Sequence, residues 1–173
     1  MSTRIAILSD THDNREIIRK AVSLISKMNP TVIIHCGDIT SSETLELFCG
    51  LPLLAVFGNC DRDRELLQKS AAHFGFEAIE DEREIHLKGT SIYVCHGHRG
   101  HLIQEMALSG RYDYVFHGHT HVQDSDTIGS TRVINPGALS KAERYTFATL
   151  DLPEGIVTIH PVDIGEEEKT EKL

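Results

Sequence analysis

The residues best suited to chemistry in this chain sit in short loops at the ends of apolar runs. The segment VFHGHTHVQ, residues 115–123, places His117, His119 and His121 at every second position. Four earlier runs end in comparable motifs: SDTHD with Asp10 and His12, HCGDIT with Asp38, FGNCD with Asn59, Cys60 and Asp61, and CHGHRG with His96 and His98. Carboxylate, imidazole and amide donors together suit manganese, iron, zinc, nickel or cobalt, whereas calcium prefers oxygen throughout. About seven donors are on offer, and a closed site for one ion takes about four, so two ions fit better than one. A carboxylate such as Asp38 can bridge two cations about 3.5–4 Å apart. Such a pair brings the pKa of a shared water near neutrality and clamps a phosphoryl oxygen, so that hydroxide attacks phosphorus in line. The chemistry expected is phosphoester hydrolysis.

These motifs need elements to position them. RIAILS reads as a β-branched strand, and DNREIIRKAVSLISKMN places Ile17, Ile18, Ala21, Val22, Leu24, Ile25 and Met28 on one helical face. Asp13 and Glu16 form a D-x-x-E capping box, and Asn29-Pro30 stops the helix. TVIIHCGD, SSETLELF, LPLLAVFGN and DRDRELLQKSAAHFG continue the alternation as strand, helix, strand and helix. That order implies parallel strands buried on both faces. Beyond Phe76 the strands come closer together: FEAIE, EIHLKG and TSIYVCHG, then the helix HLIQEMALSG and the strand YDYVFHG. VQDSDTIG with TRVIN, and RYTFATLDL with IVTIHPVDI, read as hairpins. The fold class is therefore α/β. Ligands of open α/β sheets bind beyond the carboxyl ends of strands, so the motif loops can converge on one rim. Gly37, Gly58, Gly97 and Gly118 stand beside the candidate donors, where a missing Cβ permits close backbone approach.

Composition narrows the function further. At 173 residues and 40% hydrophobic content, one sizeable core is expected: a single domain over 1–165, followed by an acidic solvated tail over 166–173. A net charge of −9 argues against a nucleic-acid polymer as partner, because that binding needs Lys and Arg to neutralise phosphates. No run of 18 or more apolar residues suggests a membrane span, and the polar N-terminus does not read as a secretory leader. Cys36, Cys49, Cys60 and Cys95 lack metal or disulfide spacing, which fits free thiols and a cytoplasmic location.

The ordered set D-x-H, G-D, G-N-x-D, a lone H-G before a helix, and G-H-T-H resembles the calcineurin-like metallophosphoesterase superfamily, whose pattern is D-x-H, G-D, G-N-H-[D/E], H, G-H-x-H. The blocks run from Asp10 to His121 in order. The short chain, the G-N-C-D variant and the downstream Asn135-Pro136-Gly137 resemble the small prokaryotic phosphodiesterase branch. The resemblance implies a four-layer fold, two mixed β-sheets packed as a sandwich and flanked by α-helices. It implies one ion held by Asp10, His12, Asp38 and His121, and a second by Asp38, Asn59, His96 and His119. Two divalent transition-metal ions are expected, manganese first, with nickel, zinc, iron or cobalt acceptable. The implied substrate is a small phosphodiester or nucleotide-like molecule, and a homodimer or homotetramer is the assembly suggested by the branch.

Two departures from the pattern stand out. Cys60 occupies a place where many members carry histidine, and a thiol, neutral at pH 7, donates only a weak hydrogen bond. Leaving-group protonation would then fall to His98 or to solvent, and good leaving groups should be favoured. Ala138 stands where branch members often have serine, so phosphate contacts there would come from backbone N–H groups. Asp38, Asn59, Cys60 and His98 are the candidate catalytic residues, and Asn59, His98 and Arg99 the candidate substrate contacts. Arg99 could equally open the following helix. Asp13 and Asp61 could be helix caps or could hold ligand-bearing groups through hydrogen bonds. His35 and His117 lie within apolar runs and read as core or supporting histidines, and His73, His86 and His160 have no partner motif. Two other classes compete with the hydrolase: a scaffold protein that keeps the fold with little turnover, and a mononuclear metal-binding regulator.

Overall fold

The structure is a computed structural model and describes residues 3–162. The expected acidic tail at 166–173 lies outside the described residues. In chain order the elements are β1 (Thr3–Leu8), α1 (Arg15–Lys27), β2 (Val32–His35), α2 (Ser42–Glu46), β3 (Leu53–Ala55), α3 (Arg64–His73), β4 (Glu82–Leu87), β5 (Thr90–Cys95), α4 (Gly100–Leu108), β6 (Tyr114–Phe116), β7 (Asp124–Ile128), β8 (Thr131–Asn135), β9 (Thr146–Leu152) and β10 (Ile156–Pro161). They form two five-stranded sheets, ordered β10-β9-β1-β2-β3 and β4-β5-β6-β8-β7. In the first sheet β1, β2 and β3 are parallel, and the β9–β10 hairpin adds antiparallel beside β1. In the second, β5, β6 and β8 are parallel while β4 and β7 close the edges antiparallel.

Alternation along β1 explains the layering. Ile5 and Ile7 join Ile34, Val56, Ile92, Val94, Phe116, Ile134, Ala148 and Leu150 in a core that draws on both sheets. Ala6 and Leu8 point the other way, into a second core with Ile17, Ile18, Ala21 and Ile25 of α1 and Leu45, Leu67 and Ala71 of α2 and α3. A third, smaller core places Ala107 of α4 against Tyr93, Val115 and Val133. The result is the expected four-layer sandwich, helices outside and two sheets within. Each fully buried aliphatic side chain contributes about 1.5–3 kcal/mol relative to exposure, so the apolar runs dictate this arrangement.

Two local expectations fail for identifiable reasons. The D-x-x-E capping box does not form: α1 has Asn14 at its cap with no side-chain capping bond. Asp13 instead accepts hydrogen bonds from the hydroxyls of Thr40 (2.9 Å), Thr44 (2.8 Å) and Ser41, and Glu16 pairs with Lys20 at 2.7 Å. Three O–H donors to one carboxylate outbid a single helix N–H. Burial opposes the Asp13 charge, but those hydroxyl bonds win and hold its pKa below the ordinary value. FEAIE likewise makes no strand and only an isolated bridge, Val56 to Glu80. The Gln68 amide on α3 satisfies both backbone groups of Ile79, donating to its carbonyl (2.6 Å) and accepting from its N–H (3.0 Å). At Ile79 a strand partner therefore has no free backbone group to pair with.

Candidate metal centre

The loops after the parallel strands of both sheets meet. Backbone hydrogen bonds stitch them together: Asp10 N–H donates to the Gly37 carbonyl (3.0 Å), His12 N–H to that of Asp38 (3.1 Å) and Gly118 N–H to that of His96 (2.9 Å). Asp61, 3% exposed, serves as a knot. Its carboxylate accepts N–H bonds from Gly58 (2.6 Å), Thr40 (2.7 Å) and Asp38 (3.1 Å), so it holds the loops after β2 and β3 in one register. The cap of α3 is Asp63, which receives Leu66 N–H, so Asp61 is free for that task. Burial raises the Asp61 pKa against the pull of the Gly58 and Thr40 N–H groups.

Close approach demands glycine at two points. A Cβ on Gly58 would collide with the Asp38 carboxylate, and one on Gly118 with Ser9 Oγ and the Asp10 carboxylate. The donor-bearing residues themselves are strained. Asp10, His12, Asp38, His119 and His121 all have φ between 38 and 72°. Left-handed backbone is uncommon for non-glycine residues and clusters at functional sites.

The side chains converge as follows. His12 Nε2 lies 3.9 Å from Asp10 Oδ1 and 3.4 Å from Asp38 Oδ2. His121 Nε2 lies 3.1 Å from Asp10 Oδ1, and His96 Nε2 lies 3.5 Å from Asp38 Oδ2 and 3.0 Å from Asn59 Oδ1. Asp10, Asp38 and His96 are nearly inaccessible. Three triplets offer donor atoms within 4.8 Å of one another: Asp10, His12 and His121; His12, Asp38 and Cys60; and Asp10, Asp38 and His96. His119 flanks the cluster, its ring centroid 5.1 Å from that of His96, while its N–H donates to Asp10 Oδ2 at 2.9 Å. His98 lies farther out, 5.6 Å from His96 and 6.3 Å from His119 between ring centroids. Arg99 turns away: its guanidinium pairs with Glu82 at 2.6 Å, and the residue caps α4.

Tautomers decide what this cluster can bind. His96 Nδ1–H donates to the Cys36 carbonyl (2.8 Å), and His121 Nδ1–H to the Lys141 carbonyl (3.2 Å). Each neutral ring must therefore present its Nε2 lone pair to the cluster. That lone pair faces oxygen acceptors: Asp38 and Asn59 for His96, Asp10 for His121. Asp10 Oδ1 and His12 Nε2 are buried without any hydrogen-bond partner. Lone pairs facing lone pairs repel unless a proton or a cation sits between them. Nitrogen and oxygen donors at this spacing, with second nitrogens anchored to carbonyls, fit divalent transition metals.

The sequence profile of the calcineurin-like phosphoesterase superfamily domain matches residues 3–155. The chain belongs to this superfamily. It is a metallophosphoesterase, a metal-using hydrolase. A phosphodiesterase of Methanocaldococcus jannaschii is 34% identical over 137 residues, covering 78% of this chain and 82% of that protein. A solved archaeal phosphodiesterase superposes with a TM-score of 0.86 at 29% identity, over 92% of this chain and 99% of the other. Yfce, a phosphoesterase from E. coli, shares the fold at a TM-score of 0.71 and 16% identity, over 93% of this chain and all of the other.

Electrostatics distinguishes the donors of this metallophosphoesterase. Burial opposes the Asp38 charge, yet the hydrogen bonds with His96 and from Cys60 N–H prevail and hold the carboxyl well below the usual range. Burial lowers the pKa of His12 and of His98. Burial raises the Cys60 thiol, and the neighbouring Asp38 carboxylate raises it further, so the group stays protonated. His35 is wholly buried and forms a relay. It accepts Gly37 N–H at Nδ1 (3.1 Å), which leaves Nε2–H for Thr11 Oγ1 (3.1 Å), whose hydroxyl donates to the Asp38 carbonyl (3.1 Å). The ring is thus a neutral positioning group for the Asp38 loop, and its pKa falls to about 3 through burial. His117 likewise faces its own loop, Nδ1–H to the Gly118 carbonyl. Thr11 and Asn135 were invisible as site residues in the sequence. Asn135 Nδ2 holds the G-H-T-H loop by donating to the Gly118 carbonyl (3.0 Å) and to Thr120 Oγ1 (2.9 Å).

Proposed function

We propose that this metallophosphoesterase is a phosphodiesterase for small phosphodiesters, acting through two divalent ions. Asp10, His12, Asp38 and His121 would hold one ion, and Asp38, Asn59, His96 and His119 the other, with Asp38 shared. When bound, such ions supply Lewis acidity to the phosphoryl group and a water acidic enough to lose its proton near pH 7. The protein's part is geometric: anchored imidazoles and a buried, ionised Asp38 fix where the donors stand before substrate arrives. The observation that carries the reading is the convergence of the His12, His96 and His121 Nε2 atoms on the buried carboxylates of Asp10 and Asp38, with Asp10 Oδ1 and His12 Nε2 left without a hydrogen-bond partner.

Substrate class follows from the rim. Asn59 is exposed and Cys60 half-buried, so the site opens to solvent and admits small diesters of varied departing groups. A protonated Cys60 thiol gives a departing oxygen little help, which favours diesters with good leaving groups. The relatedness to the archaeal phosphodiesterase supports diesters over monoesters. Turnover of bis(4-nitrophenyl) phosphate against 4-nitrophenyl phosphate, screened over manganese, nickel, zinc and cobalt, tests the reading. Diester preference is expected, with loss of about 1,000-fold or more in Asp38→Ala at unchanged circular dichroism. Monoester preference, or full activity in Asp38→Ala, would overturn it.

A further inference from the structure

One thiol of this chain stands among the candidate metal donors. Cys60 Sγ lies within 4.8 Å of donor atoms of both His12 and Asp38, a spacing that bonds of about 2.0 Å to nitrogen or oxygen and 2.3 Å to sulfur reach with little movement. Cys36 and Cys95 are buried and Cys49 is exposed, and none of these three belongs to a donor group among the described residues. The position of the sulfur is fixed by its neighbours. Cys60 N–H donates to Asp38 Oδ1 (2.8 Å), so the carboxylate that faces His12 and His96 through Oδ2 also anchors the backbone bearing the thiol. Asn59 Nδ2 donates to Cys60 Sγ (3.5 Å), while its Oδ1 turns to His96 Nε2 (3.0 Å). An N–H group directed at sulfur is the kind of support that tunes a metal-bound thiolate.

A second observation does not depend on the thiol. His12 Nε2 is buried without a hydrogen-bond partner, on a side chain only 9% exposed, and it lies 3.4 Å from Asp38 Oδ2. A polar atom left so costs about 1–3 kcal/mol unless a donor or a cation meets it. The sulfur belongs to the same triplet as that nitrogen, so a cation that satisfies His12 comes within reach of Cys60. Nitrogen, oxygen and sulfur together make a softer donor set than nitrogen and oxygen alone. Thiolate favours zinc, whereas carboxylate and water suit manganese.

We infer that Cys60 is a metal ligand, joining His12 and Asp38 on one ion and biasing that ion toward zinc over manganese. The assignment rests on the metal-binding reading of the centre, and it is tested without turnover. Coordination exchanges the S–H bond for a sulfur–metal bond and releases the proton to water. A ligated sulfur has no proton to give a departing oxygen, so the preference for good leaving groups is unchanged. Cobalt-loaded protein should show a sulfur-to-cobalt charge-transfer band in the near ultraviolet. Cys60→Ser should lose the band, and Cys60→Ala should match it, which keeps the test intact if the serine variant is poorly folded. Cys49→Ser, at an exposed thiol outside the centre, should keep the band. By calorimetry, zinc affinity should fall about 10-fold or more in Cys60→Ser while manganese affinity changes by less than about threefold. No band in the cobalt-loaded parent, a band that survives in Cys60→Ser, or equal losses for zinc and manganese would each overturn the assignment. If the band is present but diesters stay intact, the function fails while the ligand stands; diester turnover by a protein without the band gives the reverse.

Discussion

Asp61→Asn is the sharpest perturbation of the knot that joins two loops carrying candidate ligands. The carboxylate receives three backbone N–H bonds, from Gly58 (2.6 Å), Thr40 (2.7 Å) and Asp38 (3.1 Å), at 3% exposure. Bonds to a charged acceptor are worth about 1.5–3 kcal/mol each, and neutral ones about 1. An asparagine can keep the two bonds made by Oδ2 through its carbonyl oxygen, at neutral strength. Its NH2 then faces Thr40 N–H, donor against donor. Relief of burying a charge, visible in the raised pKa of Asp61, returns part of the loss. The net expectation is destabilisation by about 2–4 kcal/mol in urea unfolding of metal-free protein. Because Asp38 N–H and the Gly58–Cys60 turn lose their anchor together, metal affinity should fall about 10- to 100-fold by calorimetry. A stability change below about 0.5 kcal/mol, the level of an ordinary surface substitution, would refute the knot. So would a destabilised protein whose metal affinity is intact, since the two losses share one cause.

Two further outcomes follow from the same geometry. His35 takes up a proton at its ordinary 6.5 in the unfolded chain but resists it to about 3 in the folded one. The unfolded state therefore binds more protons in that window, and the contribution to stability is complete above pH 6.5 and drains away on acidification by up to about 1.4 kcal/mol per pH unit. Urea unfolding of metal-free His35→Gln between pH 7 and pH 4 should show a slope shallower by about one proton; an identical slope would mean that the ring is not held neutral. Gly118→Ala drives a methyl into Ser9 and the fully buried Asp10 carboxylate, whereas Gly100→Ala meets open space at the start of α4. The first should destabilise by about 1–3 kcal/mol and weaken metal binding, while the second should leave both within about 0.5 kcal/mol; equal effects in a thermal melt and a metal titration would count against the packing.

Which parts of this site were legible in the sequence follows from how local their causes are. Asp10, His12, Asp38, His96 and His121 could be read because β/α alternation sends the loops after parallel strands to one rim, and the motifs sit on those loops. Asp61 was ambiguous because its partners are backbone N–H groups of other loops, which carry no side-chain signature. Asp13 was misread for a related reason: the D-x-x-E spacing is a local rule, and hydroxyls from the loop after β2 and from α2 offered its carboxylate more bonds. FEAIE had strand composition, yet a single amide on α3 took both backbone groups of Ile79. The two hairpins were legible, but not that β9 would pair with β1 while β8 paired with β6. Lys141 left no trace at all, because its relation to His121 runs through a main-chain carbonyl.

The strained backbone and the opposed lone pairs have a common physical meaning. Left-handed φ at Asp10, His12, Asp38, His119 and His121 costs about 1–2 kcal/mol per residue. Asp10 Oδ1 and His12 Nε2 add buried polar atoms without partners. A fold selected for stability alone would place glycine or asparagine at such turns and apolar residues at such depth. The surrounding structure instead enforces the arrangement, through Asp61, the His35–Thr11 relay and the Asn135 clamp, each of which spends well-formed hydrogen bonds on holding loops rather than strands. Cations bound between the donors would remove the repulsion without moving the loops. Metal binding is thereby coupled to the stability of this rim, and the donors need little rearrangement to accept an ion.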